Sequence, residues 1–154
     1  MCIRDRLKDY LKNLYLQNKL IKPGAFQLDG CALDITKITT PSYFLSAQED
    51  HIAPWRATYS GFTYFTGDKQ FTLAHSGHIA GVINPPHKEK YGYLSSQDTP
   101  KNAEEWQQSA QDNKGSWWPH WQEWIQTHAG PQVSARPIKK ELEKAPGHYV
   151  KDRI

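Results

Sequence analysis

Apolar positions recur along the chain at spacings that specify its elements. Leu7, Tyr10, Leu11 and Leu14 follow the repeat of one helix face and predict a helix to about residue 18. Pro23-Gly24 ends it. Residues 25–38 (AFQLDGCALDITKI) alternate loosely around Asp29-Gly30, a two-residue turn signal, and predict a short hairpin. Two compact apolar runs follow, residues 42–47 (SYFLSA) and 70–74 (QFTLA). Such runs read as parallel strands buried on both faces. Between them lie a polar loop at 48–54 (QEDHIAP) and a predicted helix over 55–65. After the second run, Ser76-Gly77-His78 opens a loop rich in Gly, Asn and Pro that reaches Pro86.

Two further helices are predicted downstream. Residues 102–111 carry Asn102 as N-cap and Glu104 and Glu105 in the first turn, where acidic groups suit the helix dipole. Residues 116–128 (SWWPHWQEWIQTH) have Pro119 in the first turn and Gly130 as a stop. Trp117, Trp121 and Trp124 fall on one face of that helix. The stripe either packs on the body of the protein or walls an apolar substrate channel, and both readings make it mostly buried. Two parallel strands do not make an independently stable sheet, which needs three or more. The pattern is therefore that of an α/β fold with an incomplete sheet, the last part of a larger domain.

Composition narrows the classes. The chain has 154 residues, one domain's worth, with 38% hydrophobic and 23% charged residues, which excludes a disordered tail. Its longest apolar stretch, about residues 79–83, is far too short to cross a membrane as a helix. No tripartite leader pattern is present, and two cysteines argue for a reducing, cytoplasmic setting over a disulfide framework. The net charge of +3 is too weak to imply nucleic acid. The excess sits in residues 131–154, a basic C-terminal tail with Arg136, Lys139, Lys140, Lys144, Lys151 and Arg153 against Glu141, Glu143 and Asp152. Residues 1–6 (MCIRDR) match one reading frame of a common sequencing-library adapter, so they are expected to be an artefact, with 7–130 forming the catalytic part.

The candidate chemistry lies at the strand ends. Asp50 follows the first buried strand and His78 the second, so both open onto the carboxyl edge where α/β sheets place their sites. Acid and histidine in that order close the nucleophile–acid–histidine arrangement of α/β-hydrolases. The histidine takes the nucleophile's proton, and the carboxylate fixes its tautomer. On spacing alone, Asp50 could instead cap the next helix and His78 could be a loop residue. His51, His75 and His78 as zinc ligands are a weaker alternative, because a His-x-x-His pair at a strand end is awkward and no thiolate completes the set; no metal is expected. Cys31 lacks a Gly-x-Cys-x-Gly elbow and reads as an inert apolar residue. Neither it nor Cys2 is expected to be a nucleophile.

Longer motifs sharpen this reading. Glu49-Asp50-His51-Ile52-Ala53-Pro54-Trp55 and Ser76-Gly77-His78-Ile79-Ala80-Gly81-Val82-Ile83-Asn84-Pro85-Pro86 resemble the C-terminal catalytic region of class I poly(3-hydroxyalkanoate) synthases. Gly115-Ser116-Trp117-Trp118-Pro119, Ala145-Pro146-Gly147-His148-Tyr149-Val150 and Asn18-Lys19-Leu20-Ile21-Lys22-Pro23-Gly24 resemble the same family, so the likeness runs over residues 7–154. It implies an α/β-hydrolase fold, with Asp50 the catalytic aspartate, His78 the catalytic histidine and His51 the supporting histidine beside the acid. It implies an acyltransferase that polymerises (R)-3-hydroxyacyl-CoA with release of CoA, with no cofactor besides that thioester substrate. The growing polyester, the cytoplasmic granule surface and a second copy in a homodimer are the partners it implies. The family's nucleophilic cysteine lies in an upstream elbow, so this chain alone is expected to be inactive. A related depolymerase or lipase with a serine nucleophile, or a non-catalytic granule-associated module, are the alternatives.

Overall fold

The computed structural model describes residues 3–137, 140 and 142–152. Helix α1 (Ile3–Tyr10) starts inside the segment expected to be an artefact and continues as a wider π-type turn over Leu11–Leu16. Its stripe is exposed at Leu7, Tyr10 and Leu11. A hairpin follows, β1 (Phe26–Leu28) against β2 (Cys31–Leu33), with Leu28 opposite Cys31. Its turn residues Asp29 (φ 50°) and Gly30 (φ 75°) are both left-handed, the backbone twist that a two-residue hairpin demands.

The body is one four-stranded sheet, ordered β3 (Ser42–Ala47), β4 (Lys69–Ala74), β5 (Gly92–Ser95) and β6 (Gln111–Lys114). β3 and β4 are parallel and in register from Ser42 opposite Lys69 to Ala47 opposite Ala74. β5 and β6 then add antiparallel. This corrects the expected sheet: it is mixed, β5 lies in a stretch given no element, and β6 starts at the residue expected to end a helix. Helix α3 (Ala103–Ser109) stops two residues short of the expected 111, and Gln111 starts β6. Asn102 caps α3 as expected, accepting from the N–H groups of Glu104 and Glu105.

Side chains alternate across the sheet and give its two faces different chemistry. Phe44, Phe71, Leu73 and Leu94 point toward helix α2 (Trp55–Tyr64) and α3. There Trp55, Tyr59, Phe62 and Trp106 complete an apolar core. Phe71 meets Trp106 edge-on at 4.9 Å and Tyr59 at 5.0 Å, the offset geometry that aromatic quadrupoles favour. Burial pushes the Tyr59 phenol up to about 12, and its hydroxyl donates to the Pro100 carbonyl at 2.5 Å. Lys69 closes the C-terminus of α2, donating to the carbonyls of Phe62 (2.9 Å) and Phe65 (2.5 Å), where the helix dipole favours a cation.

The opposite face lies under helix α4 (Trp118–His128) and is polar and aromatic. Thr72 donates to the Tyr43 hydroxyl at 2.8 Å, and Tyr43 meets His120 Nδ1 at 2.7 Å. Desolvation raises Tyr43 and lowers His120, so both stay neutral, and the phenol is the donor. Trp117 stacks on Tyr43 and Trp124 meets it edge-on at 5.4 Å. The Trp stripe is not uniformly buried: Trp121 is 39% exposed. The reason is geometric. Tyr43 meets the two ends of the stripe, Trp117 and Trp124, whereas Trp121 lines an open apolar cleft with Trp118.

Candidate active site

Parallel pairing of β3 and β4 brings their C-terminal loops side by side. Gln48 N–H donates to the Ala74 carbonyl at 2.8 Å and Glu49 N–H to Ser76 at 3.0 Å, which extends the pairing past the strands. The chain then turns at Asp50, whose N–H returns to the Ala47 carbonyl at 3.2 Å. Asp50 Oδ1 accepts the N–H groups of Ile52 (2.8 Å) and Ala53 (2.9 Å), which fixes the side chain against its own loop. The other oxygen, Oδ2, meets His78 Nδ1 at 2.7 Å. Residues 28 apart in sequence are thus joined at one sheet edge.

The electrostatics give this pair a direction. The Asp50 side chain is only 8% exposed. The Ala53 N–H first, and then the His78 contact, hold its carboxyl down at about 2. It is therefore ionised across the physiological range and can only accept hydrogen bonds. His78 Nδ1 must donate, so the unprotonated nitrogen of a neutral ring is Nε2. That ring is 49% exposed, so a proton acceptor is available at the surface of this edge.

The backbone carrying His78 forms a single helical turn. Gly81 N–H donates to Gly77 at 3.1 Å and Ile83 N–H to Ile79 at 2.8 Å. Gly81 is required for close approach, since a Cβ there would lie 2.6 Å from the His75 carbonyl. Two indoles from the start of α4 reach this turn. Trp117 Nε1 donates to the carbonyls of Gly81 (3.1 Å) and Val82 (3.2 Å), and Trp118 Nε1 donates to Val82 at 3.1 Å. The sequence reading missed both contacts. Beside them lies an apolar cleft of about 540 Å³ lined by Pro86, Trp117, Trp118, Pro119, Trp121 and Gln122.

The other sequence-predicted residues lie apart. His51 is exposed in the Asp50 loop, outside the Asp50–His78 contact. His75 points instead to β6, with Nε2 3.5 Å from Asp112 Oδ1. Among the described residues, no group of three or more His, Cys, Asp or Glu side chains converges as a metal site would require. Cys31 is exposed on the hairpin, in the two-stranded sheet of β1 and β2. Cys2 lies outside the described residues, as do Lys139, Glu141 and Arg153 of the basic tail. No helix among the described residues is long and apolar enough to cross a membrane.

No family model matches the chain. Curated relatives do. It is 42% identical over 148 residues to the poly(3-hydroxyalkanoate) polymerase subunit PhaC of Rhizobium etli, which covers 94% of this chain and 23% of that protein. It is 39% identical over 147 residues to the subunit of the same name from Cupriavidus necator, with 92% and 25% covered. The poly(3-hydroxyalkanoate) polymerase of Methylorubrum extorquens is 40% identical over 147 residues, with 92% and 24% covered. The chain thus spans about a quarter of the length of the relatives it matches. Over nearly all of its residues the chain is therefore similar, at 39–42% identity, to the C-terminal portion of poly(3-hydroxyalkanoate) polymerases.

Proposed function

We propose that this chain supplies the acid–base half of an acyltransferase that builds polyhydroxyalkanoate from (R)-3-hydroxyacyl-CoA. The observation that carries the reading is the 2.7 Å contact between an ionised, shielded Asp50 and His78, with Nε2 left open. In the complete protein, Nε2 takes the proton of a cysteine thiol held in the upstream part of the sequence. The thiolate attacks the thioester carbonyl, the carbonyl carbon–sulfur bond to CoA breaks, and the departing CoA sulfur takes the proton from Nε2 as the acyl group passes to the cysteine. Nε2 next accepts a proton from the 3-hydroxyl of the acceptor chain. That oxygen then forms the ester bond as the acyl carbon–sulfur bond to the cysteine breaks, and the departing cysteine sulfur recovers the proton from Nε2.

A thiol suits this chemistry because thioester-to-thioester exchange costs little, and the acyl group stays activated for transfer to an alcohol. Asp50 stabilises the imidazolium that forms in each step. His51 stands beside the acid as a supporting residue. The fold in this reading is the end of an α/β-hydrolase domain. The complete enzyme would work as a homodimer at the surface of a cytoplasmic polyester granule, with no cofactor beyond its CoA substrate.

The test measures CoA release from 3-hydroxybutyryl-CoA by a complete polymerase that carries this chain as its C-terminal portion. His78→Ala abolishes release, and Asp50→Asn slows it by on the order of a thousandfold or more by misplacing the imidazole proton. The 154-residue chain alone releases none above background. A complete enzyme that keeps its rate after His78→Ala would refute the proposal. So would release by the chain alone that disappears on Cys31→Ala, since Cys31 would then be the nucleophile.

A further inference from the structure

The turn that carries His78 ends where a helix would leave carbonyls unpaired. Continuing the helix would place the N–H of residue 85 on the Gly81 carbonyl and that of residue 86 on Val82. Both residues are proline and have no N–H to give. The two carbonyls nevertheless have donors: Trp117 Nε1 serves both, at 3.1 and 3.2 Å, and Trp118 Nε1 serves Val82 at 3.1 Å. These indoles come from 35 or 36 residues downstream and stand in for the missing backbone donors.

Their own placement is fixed. Ser116 Oγ accepts the Trp118 N–H at 3.1 Å, the Trp117 carbonyl accepts the Trp121 N–H at 3.0 Å, and the Trp117 ring stacks on Tyr43. The sheet holds the near end of the same turn, because His75 N–H donates to the Gly92 carbonyl at 2.9 Å. The segment bearing His78 is therefore pinned at both ends, by β5 before it and by two indoles after it.

We propose that Trp117 and Trp118 are positioning residues for His78, acting as a latch whose indole N–H groups replace the backbone donors absent at Pro85 and Pro86 and so hold the imidazole on Asp50. The proposal rests on the acid–base reading above for its functional meaning, but the latch itself is a property of this chain. Phenylalanine keeps an aromatic ring and removes only the donor, so it separates hydrogen bonding from packing.

The experiment follows the imidazole nitrogen-15 resonances of His78 in the 154-residue chain at mildly alkaline pH, where a fixed tautomer keeps the Nδ1 and Nε2 signals far apart. In the unaltered chain the separation is wide. Trp118→Phe narrows it least, since Trp117 still serves both carbonyls. Trp117→Phe narrows it more, and the double variant removes roughly half of it or more, as loss of several such bonds allows. Trp121→Phe, on the same helix without a bond to this turn, leaves it unchanged. If the double variant fails to fold, the graded order of the single variants decides the matter. An unchanged separation in a folded Trp117→Phe chain, or an equal change in Trp121→Phe, overturns the latch. A latch that passes this test while the complete enzyme ignores His78→Ala would leave the positioning inference standing and remove the acyl-transfer reading.

Discussion

The two faces of the sheet are built from the same kinds of residue to different ends. Under α2 and α3, Phe44, Phe62, Phe71 and Trp106 meet as hydrocarbon, and the buried Trp106 indole N–H has no partner among the described residues. Under α4 the aromatic groups carry polar handles and use them: Thr72 to Tyr43, Tyr43 to His120, and Trp117 and Trp118 to the turn bearing His78. Area burial dominates the energy of the first face. The second buries less and depends on direction, which suits the side that fixes a reactive imidazole. Stability and positioning are thus carried by opposite sides of four strands.

Substitutions on each side test that division. Phe71→Ala removes a ring at the centre of the apolar face and is expected to cost about 3–5 kcal/mol in urea unfolding. The amide pattern under α4 should persist until global unfolding, and a cost below about 1 kcal/mol would break the comparison. Tyr43→Phe keeps the ring and deletes the hydroxyl between Thr72 and His120. It is expected to cost about 1–3 kcal/mol and to free the His120 ring, which two-dimensional NMR would show.

The pH dependence sharpens the comparison at the site itself. The Asp50 carboxyl titrates at about 2 in the folded chain, below its ordinary value of 3.8, so its contribution is complete above about pH 4 and is lost as pH falls toward 2. Asp50→Asn therefore flattens the acid limb of stability in that window, measured by circular dichroism against pH. An unaltered limb would show that the carboxylate is not held as the geometry states. Cys31→Ser, on the exposed hairpin and on neither face, is expected to stay within about 0.5 kcal/mol of the starting stability.

Much of this is legible in the sequence. The hairpin followed from Asp29-Gly30, whose left-handed backbone few other pairs adopt. The Asp50–His78 contact followed from two apolar runs, because parallel neighbours necessarily bring their C-terminal loops to one edge. β6 was illegible for a physical reason. Its residues, Gln-Asp-Asn-Lys, are all polar, and it is an edge strand held by its backbone ladder to β5 and by Asn113 Nδ2, which donates to Ser95 Oγ at 3.0 Å. Polar edge strands resist pairing with other chains, and the same chemistry erases the alternation that marks a strand. The indole latch was hidden because hydrogen bonds between residues 35 apart leave no periodicity. Its trace is Pro85-Pro86, a pair that withdraws two donors just where a turn needs them.

The distribution of tryptophans has an optical consequence. Trp106 and Trp55 are sealed in the apolar face at 0% and 4% exposure, whereas Trp118 and Trp121 present 37% and 39% of their surface. These four form two classes of emitter, one shielded and blue-shifted, the other reachable by a dissolved quencher, with half-buried Trp117 and Trp124 between them. Iodide should extinguish the red edge of the emission and spare the blue. Loosening of the α4 side would then appear as a spectral shift toward the quenchable class while the shielded emission still reports an intact core.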